Sequence, residues 1–323
     1  MQASELEIQV RVHAVDDQAR GVRVFDLRHV DGAPLPDFEA GSHIDLAVGE
    51  AGVRQYSLFN APGQTDRYCI AVALDAQSRG GSHFLHERVR PGDVLAASAP
   101  RNHFALAPDP APSVLIAGGI GITPLWAMAQ ALEAQGRPWE LHYGASDRED
   151  AALLAQIEPF AARARHGRVR LYFSRAAGGG RMALGSVIRQ APTQAHLYCC
   201  GGKAMLEEYK ALTRSRPASH VHLEHFQPTQ AAATAGGYAV MLARSGRQVD
   251  VGAGQTILDA LEGAGIRVAY TCREGICGDC EVRVLEGVPE HRDDVLTEAE
   301  RATNASMMIC CSGCRGTRLV LDL

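Results

Sequence analysis

Apolar and polar residues alternate with period two over Glu7–Val15 and Val22–Arg28, as half-buried antiparallel strands do. Shorter segments of the same kind follow at His43–Val48, Arg54–Phe59, Tyr68–Leu74 and Asp93–Ser98. So many short strands with turn residues between them predict a small closed barrel or sandwich up to about residue 105. The pattern then changes. Val114–Ala117 is a short apolar strand that runs into Gly118-Gly119-Ile120-Gly121-Ile122-Thr123-Pro124. Thr123 suits an N-cap and Pro124 a first helical position, so a helix is expected to start there. Strand-like Glu140–Tyr143, Val169–Phe173, Ala195–Cys199 and Val221–Glu224 follow, with helix-like Ala151–Arg165 and Lys203–Arg214 among them. That rhythm predicts a parallel sheet covered by helices.

Gln227–Gly237, rich in Pro, Thr, Gln, Ala and Gly, reads as a flexible linker. Beyond it Tyr238–Ala243 and Arg247–Val251 flank Ser245-Gly246, a hairpin signal. Thr256–Ala264 reads as a short helix, Cys272 to Cys280 as a loop, and Leu319–Leu323 as a closing strand. The expected division is therefore a β-domain at 1–105, an α/β domain at 106–227, a linker at 228–236 and a third domain at 237–323.

Composition narrows the function. The net charge of −5 over 323 residues offers no basic patch for nucleic acid. No run of about 18 apolar residues is present to span a membrane, and Met1–Glu5 lacks the layout of a signal peptide. Six of the nine cysteines fall between Cys272 and Cys314. Without a secretory signal, such clustering points to metal ligation rather than a disulfide framework.

The spacing Cys272-x4-Cys277-x2-Cys280 is the strongest chemical signal. A [2Fe–2S] cluster needs four thiolates, and the plant-type C-x4-C-x2-C…C spacing draws three from one loop. Gly275 and Gly278 would let the backbone curl so that its N–H groups face the sulfurs. Structural zinc more often pairs ligands in two similar knuckles. Cys310 closes the apolar run Met307-Met308-Ile309 and is the expected fourth ligand, with Cys311 and Cys314 as competitors.

Two anion-binding elements stand in the first block. Arg54-Gln55-Tyr56-Ser57 lies on a strand, and Arg79-Gly80-Gly81-Ser82 places a cation and backbone amides directly before a helix. In the second block, Gly119-x-Gly121 could cradle a pyrophosphate, although the full G-x-G-x-x-G pattern is absent and no acidic ribose ligand follows about 20 residues on.

Arg54-x-Tyr56-Ser57, Arg79–Ser82, Gly119–Pro124, Cys200-Gly201 and Cys272-x4-Cys277-x2-Cys280…Cys310 occur in one order. In this the whole chain resembles the phthalate dioxygenase reductase family, which includes the vanillate demethylase reductase component. The resemblance implies a multidomain α/β and β protein: a ferredoxin-reductase-like β-barrel binding FMN, a parallel α/β domain binding NAD(P)H, and a C-terminal β-grasp-like ferredoxin. It implies that Arg54 pairs with the FMN phosphate, with Arg79, Gly80, Gly81 and Ser82 beside it. Tyr56 would pack on the flavin and Ser57 would lie near its N5. Gly119, Gly121 and Thr123 would neighbour the dinucleotide, Cys200 the nicotinamide, and Phe226 would stack near the flavin; ordinary core packing is the competing account of Cys200 and Phe226.

Ser174-Arg175 departs from relatives that use NADH, which often carry acidic residues thereabouts. NADH is the family expectation, and a Ser–Arg pair leaves NADPH open. FAD is the alternative to FMN. The implied function is the reductase component of a Rieske-type aromatic-ring oxygenase or demethylase in aromatic compound degradation, as a cytoplasmic monomer. A reductase for another one-electron acceptor, such as a haem protein, is the alternative. From Gly237 onward 13 Asp and Glu face 9 Lys and Arg, and Glu274, Asp279 and Glu281 near the loop suit a basic partner face.

Overall fold

The computed structural model describes residues 6–76, 78–176 and 179–323. The chain separates into two compact units, residues 2–224 and 225–323.

The first unit holds two sheets. Strands β1 (Ile8–Ala19), β2 (Val22–His29), β3 (His43–Ala47), β4 (Val53–Ser57), β5 (Tyr68–Ala73) and β6 (Val94–Ala97) form a six-stranded antiparallel sheet in the order β4-β3-β6-β1-β2-β5. A bridge from Leu58 to Ile70 joins the end of β4 to β5, so the two edges of the sheet meet. The period-two pattern drives this closure: Val10, Phe25, Leu27, Ile44, Leu46 and Ile70 are all fully buried in one cluster. One helix, α1 (Gly81–Glu87), packs Leu85 into the same cluster.

The second sheet is parallel, in the order β11-β10-β7-β8-β9. Its strands are β7 (Ser113–Gly118), β8 (Trp139–Ala145), β9 (Gly167–Phe173), β10 (His196–Cys200) and β11 (Val221–Glu224). Helices α2 (Ile122–Ala134), α3 (Leu154–Ala161), α4 (Leu184–Gln190) and α5 (Lys203–Thr213) connect and cover them. The winding reverses between β7 and β10, and such switch points are where α/β sheets bind ligands, at their carboxyl ends. Gln130 Nε2 on α2 donates to the Phe59 carbonyl (2.9 Å), tying the parallel sheet to the antiparallel one.

Two expectations need correction here. Thr123 is not the N-cap of α2: Gly121 holds that position, and the Thr123 hydroxyl donates back to the Ile120 carbonyl (3.1 Å) inside the first turn. The helix expected over Ala151–Arg165 covers only Leu154–Ala161, because Leu153 enters in the left-handed region (φ 63°).

The second unit carries β12 (Tyr238–Leu242), β13 (Gln248–Val251), β14 (Glu281–Glu286), β16 (Ser306–Met308) and β18 (Arg318–Leu321) in a mixed sheet of order β13-β12-β18-β14-β16. A small ladder pairs β15 (Pro289–Glu290) with β17 (Gly313–Cys314). Helix α6 (Ile257–Gly263) starts with a capping box between Thr256 and Asp259, and α7 (Glu298–Thr303) with one between Thr297 and Glu300. The segment read as a flexible linker has no helix or strand but is held to this unit. Thr229 donates from N–H and hydroxyl to Asp294 (2.7 and 2.6 Å), and the Ala233 N–H donates to the Cys311 carbonyl (2.8 Å). Among the described residues no helix is long and apolar enough to cross a membrane.

Candidate functional site

The loop from Cys272 to Cys280 joins α6 to β14, and Cys310 follows β16. Antiparallel pairing of β14 with β16 brings the two ends together, and the Ile309 N–H donates to the Cys280 carbonyl (3.3 Å). All four thiols are buried, at 6 % exposure or less. Hydrogen bonds from the Cys277 and Cys310 thiols hold the Cys272 thiol well below the usual range, helped by the N–H groups of Glu274 and Ile276. Cys310 in turn contacts Cys272, Cys280 and its neighbour Cys311, and those contacts push its thiol up. The four sulfurs thus form one connected group. Cys311 touches the group through Cys310; its sulfur also bonds weakly to the Met308 carbonyl (3.8 Å) and lies where a Cβ on Gly275 would reach it at 2.4 Å. Cys314 lies in β17 and is half-buried.

The loop's shape depends on left-handed backbone at Arg273 (φ 58°), Gly275 (72°) and Gly278 (85°). Arg273 is the costly one, as it carries a side chain. Its guanidinium pairs with Asp259 (3.1 Å) and Glu262 on α6 and lies 4.4 Å from the centre of the Tyr270 ring, so helix and loop are clamped. Four thiols linked in the chain Cys277–Cys272–Cys310–Cys280, with backbone donors aimed at Cys272, fit a group that takes four thiolates.

In the antiparallel sheet, Arg54, Tyr56 and Ser57 lie on β4, with Tyr56 opposite Ile44 and Ser57 opposite His43. Arg54 Nη2 donates to the Arg79 carbonyl (3.0 Å), which ties the loop before α1 to the strand. Gly81 lies against both side chains: a Cβ there would stand 2.7 Å from Arg54 Cγ and 3.4 Å from the Tyr56 hydroxyl. Gly80 caps α1 at φ 91°. Arg54, Tyr56, Arg79, Gly80 and Gly81 therefore come together. Burial pushes the Tyr56 phenol above its usual range, so it stays a neutral donor. Ser82 is turned back on its own loop: its hydroxyl meets Ser78 Oγ (3.0 Å) and accepts from the Asp75 N–H (3.2 Å). Ser57 is buried on the opposite face of β4 from Arg54 and Tyr56. A cation, an aromatic and a glycine turn packed together fit a phosphate-bearing ring cofactor.

A cleft of about 510 Å³ opens at the carboxyl ends of β7, β8 and β9. Gly119 and Ser174 line it, as expected from the sequence; Tyr172, Arg181, Met205 and Glu208, which sequence reading missed, do too. Gly121 and Thr123 do not. Gly121 serves packing, since a Cβ would stand 2.3 Å from the Cys200 carbonyl oxygen. Thr123 is buried at 2 % exposure. Arg175 is no part of the lining; its guanidinium faces Asp147 at 4.0 Å. Cys200 is fully buried at the end of β10, and burial, then Glu224, raises its thiol well above the usual range. Phe226 belongs to the other compact unit and is half-buried there. An open cleft with glycines at a βα turn over a parallel sheet fits a dinucleotide.

Residues 115–211 match the family described as "Oxidoreductase NAD-binding domain", and residues 240–315 match "2Fe-2S iron-sulfur cluster binding domain". The chain is 47 % identical to the phenoxybenzoate dioxygenase subunit beta of Ectopseudomonas oleovorans over 322 residues, 99 % of each chain. Among solved structures it resembles an intact type IV self-sufficient cytochrome P450 monooxygenase, with TM-score 0.85 and 39 % identity, over 98 % of this chain but only 41 % of that one. It also resembles phthalate dioxygenase reductase, described as a modular structure for electron transfer from pyridine nucleotides to [2Fe–2S], with TM-score 0.75 and 34 % identity over the full length of both. The two domain matches, the end-to-end similarity and the joined cysteines lead to one conclusion: the chain belongs to the phthalate dioxygenase reductase family and is an NAD(P)H-dependent flavin iron–sulfur oxidoreductase, the reductase component of an oxygenase system.

Proposed function

We propose that this chain delivers electrons from NADH to a Rieske-type oxygenase or demethylase that acts on aromatic acids, and that Cys272, Cys277, Cys280 and Cys310 hold its [2Fe–2S] cluster. Bound FMN would supply two-electron chemistry toward the nicotinamide, and a bound cluster one-electron chemistry toward the partner. The chain's own residues supply position and charge. Arg54 meets the FMN phosphate with Arg79 and the Gly80-Gly81 amides beside it, while Tyr56 covers the ring. The Ser57 hydroxyl and Cys200 border the reacting edge of flavin and nicotinamide. Gly119 and Ser174 face the dinucleotide. The N–H groups of Glu274 and Ile276, already turned to the Cys272 sulfur, stabilise added negative charge there. Acidic Glu274, Asp279 and Glu281 steer a basic partner face. A cytoplasmic monomer with no nucleic-acid or membrane partner completes the reading.

The observation that carries this reading is the connected set of four buried thiols in a chain that aligns end to end with a reductase of this kind. The visible spectrum of the pure protein tests it. Flavin bands over [2Fe–2S] absorption that bleach on anaerobic addition of NADH are expected. A colourless or zinc-containing protein that ignores the nucleotide would overturn the reading. Similarity to 41 % of the chain of a self-sufficient P450 favours a second acceptor class, haem proteins. Faster reduction of a purified P450 than of a Rieske oxygenase in stopped flow would decide for that class.

A further inference from the structure

We infer that Ser174 and Arg181 form a subsite for a phosphate on the adenosine 2′-oxygen, so that the cleft takes NADPH as well as NADH. The inference rests on the dinucleotide reading proposed for this cleft. A site built for a ribose 2′-hydroxyl places a carboxylate about 20 residues beyond the glycine turn, to accept from that hydroxyl; an arginine there accommodates a 2′-phosphate instead. Here the corresponding strand end, after β8, is Gly144-Ala145-Ser146. The first carboxylate beyond it, Asp147, is offset by Arg175 at 4.0 Å. The carboxylate that does line the cleft, Glu208, comes from α5, which follows β10 on the other side of β7 from β8 and β9. At the β8–β9 end the lining is hydroxyl and cationic: Ser146, Tyr172, Ser174 and Arg181.

Backbone geometry holds these groups in place. Past β9 the chain bends, and two consecutive N–H groups hold it to the end of β8: Ser174 donates to the Ala145 carbonyl (3.1 Å) and Arg175 to the Ser146 carbonyl (2.9 Å). That fixes Ser174 beside Ser146. Arg181 is anchored by its C-terminal neighbours: Leu184 is buried in the core, and Met182 covers the end of β8, where a Cβ on Gly144 would lie 3.3 Å from Met182 Cε. The guanidinium itself has no ion-pair or hydrogen-bond partner among the described residues. Its five donors are thus available to a phosphate dianion, whereas a neutral 2′-hydroxyl would gain little from them.

Calorimetric titration of the cofactor-loaded full chain with adenosine 2′,5′-bisphosphate and with 5′-AMP tests this. The bisphosphate is expected to bind about tenfold tighter, the scale of one charge-assisted contact, with the ratio shrinking as salt rises. Arg181→Gln should bring the ratio near one, and Ser174→Ala should lower it in part. In steady state, Arg181→Gln should raise KM for NADPH more than for NADH with little change in kcat. Binding of 5′-AMP as tight as the bisphosphate, or equal losses for both probes in Arg181→Gln, would overturn the subsite alone. Failure of both probes to bind would overturn the dinucleotide reading with it.

Discussion

Two glycines of one turn make opposite demands, and a pair of alanine substitutions separates them. Gly121 has ordinary helical geometry (φ −62°), so alanine suits its backbone. Its difficulty is space: the new Cβ would stand 2.3 Å from the Cys200 carbonyl oxygen, 2.5 Å from its carbon and 2.8 Å from the Gly201 nitrogen. Ordinary contact starts near 3.4 Å, so the backbones must part by about 1 Å. Cys200 cannot yield easily, because it is laddered to Ala117 on one side and Glu224 on the other. Overpacking typically costs about 1–3 kcal/mol, and a clash with backbone rather than a side-chain tip belongs in the upper half of that range. Gly119 is the reverse case. It has φ 55° and nothing within 4 Å of a Cβ, so Gly119→Ala costs only left-handed strain, about 1 kcal/mol.

Both tryptophans, Trp126 and Trp139, lie in the unit of residues 2–224, so their fluorescence reports its unfolding in the intact protein. The cluster's visible absorption reports the other unit. For a unit of this size Gly121→Ala should lower the fluorescence midpoint by about 5–10 °C and Gly119→Ala by about 2–4 °C, with the absorption midpoint unmoved. The displaced Cys200 end should also raise KM for NADH in Gly121→Ala. A Gly121→Ala protein that melts with the wild type, or no earlier than Gly119→Ala, would refute the packing argument.

Cys310→Ser should abolish the [2Fe–2S] absorption and the bound iron, while Cys311→Ser should keep both, since of these two only Cys310 contacts both Cys272 and Cys280; metal analysis showing the reverse pattern would reassign the fourth ligand. Acid should weaken the first unit through two histidines. Burial lowers His142 and His222 to about 4, the former against the pull of Glu140 at 3.2 Å and the latter aided by its neighbours His196 and His220. A histidine with a depressed folded pKa contributes stability that is full above its unfolded value near 6.5 and is lost as pH falls through about 4. Discounted for partial exposure, each should cost on the order of 1 kcal/mol by pH 5. The urea midpoint of tryptophan fluorescence at pH 7.5 and 5 measures it, and equal midpoints would refute the assignment.

How much of the fold was readable in the sequence depends on how far apart its determinants lie. Val221–Glu224 matches its strand end for end, and the strands of the first sheet agree within a few residues, because alternation is a local record of burial. The cysteine loop was readable because its ligands sit at spacings that few other groups require. Helix α4 was missed for a local reason too: seven residues with Gly185 in the first turn carry almost no periodic signal. Further errors came from contacts distant in sequence. Residues 228–236 have a linker's composition because they form no structure of their own, yet Asp294 and Cys311 hold them. Thr123 before Pro124 has an N-cap's chemistry, but the approach of Gly121 to Cys200 sets where the helix begins. Ser174 and Arg175 are neighbours in the chain, but the bend after β9 parts their side chains: Ser174 lines the cleft while Arg175 turns to Asp147. The cation that shares the cleft with Ser174 is instead Arg181, seven residues along, carried there by the anchoring of Met182 and Leu184. A residue pair read as one charge recognising one phosphate is, in three dimensions, a hydroxyl and a different arginine.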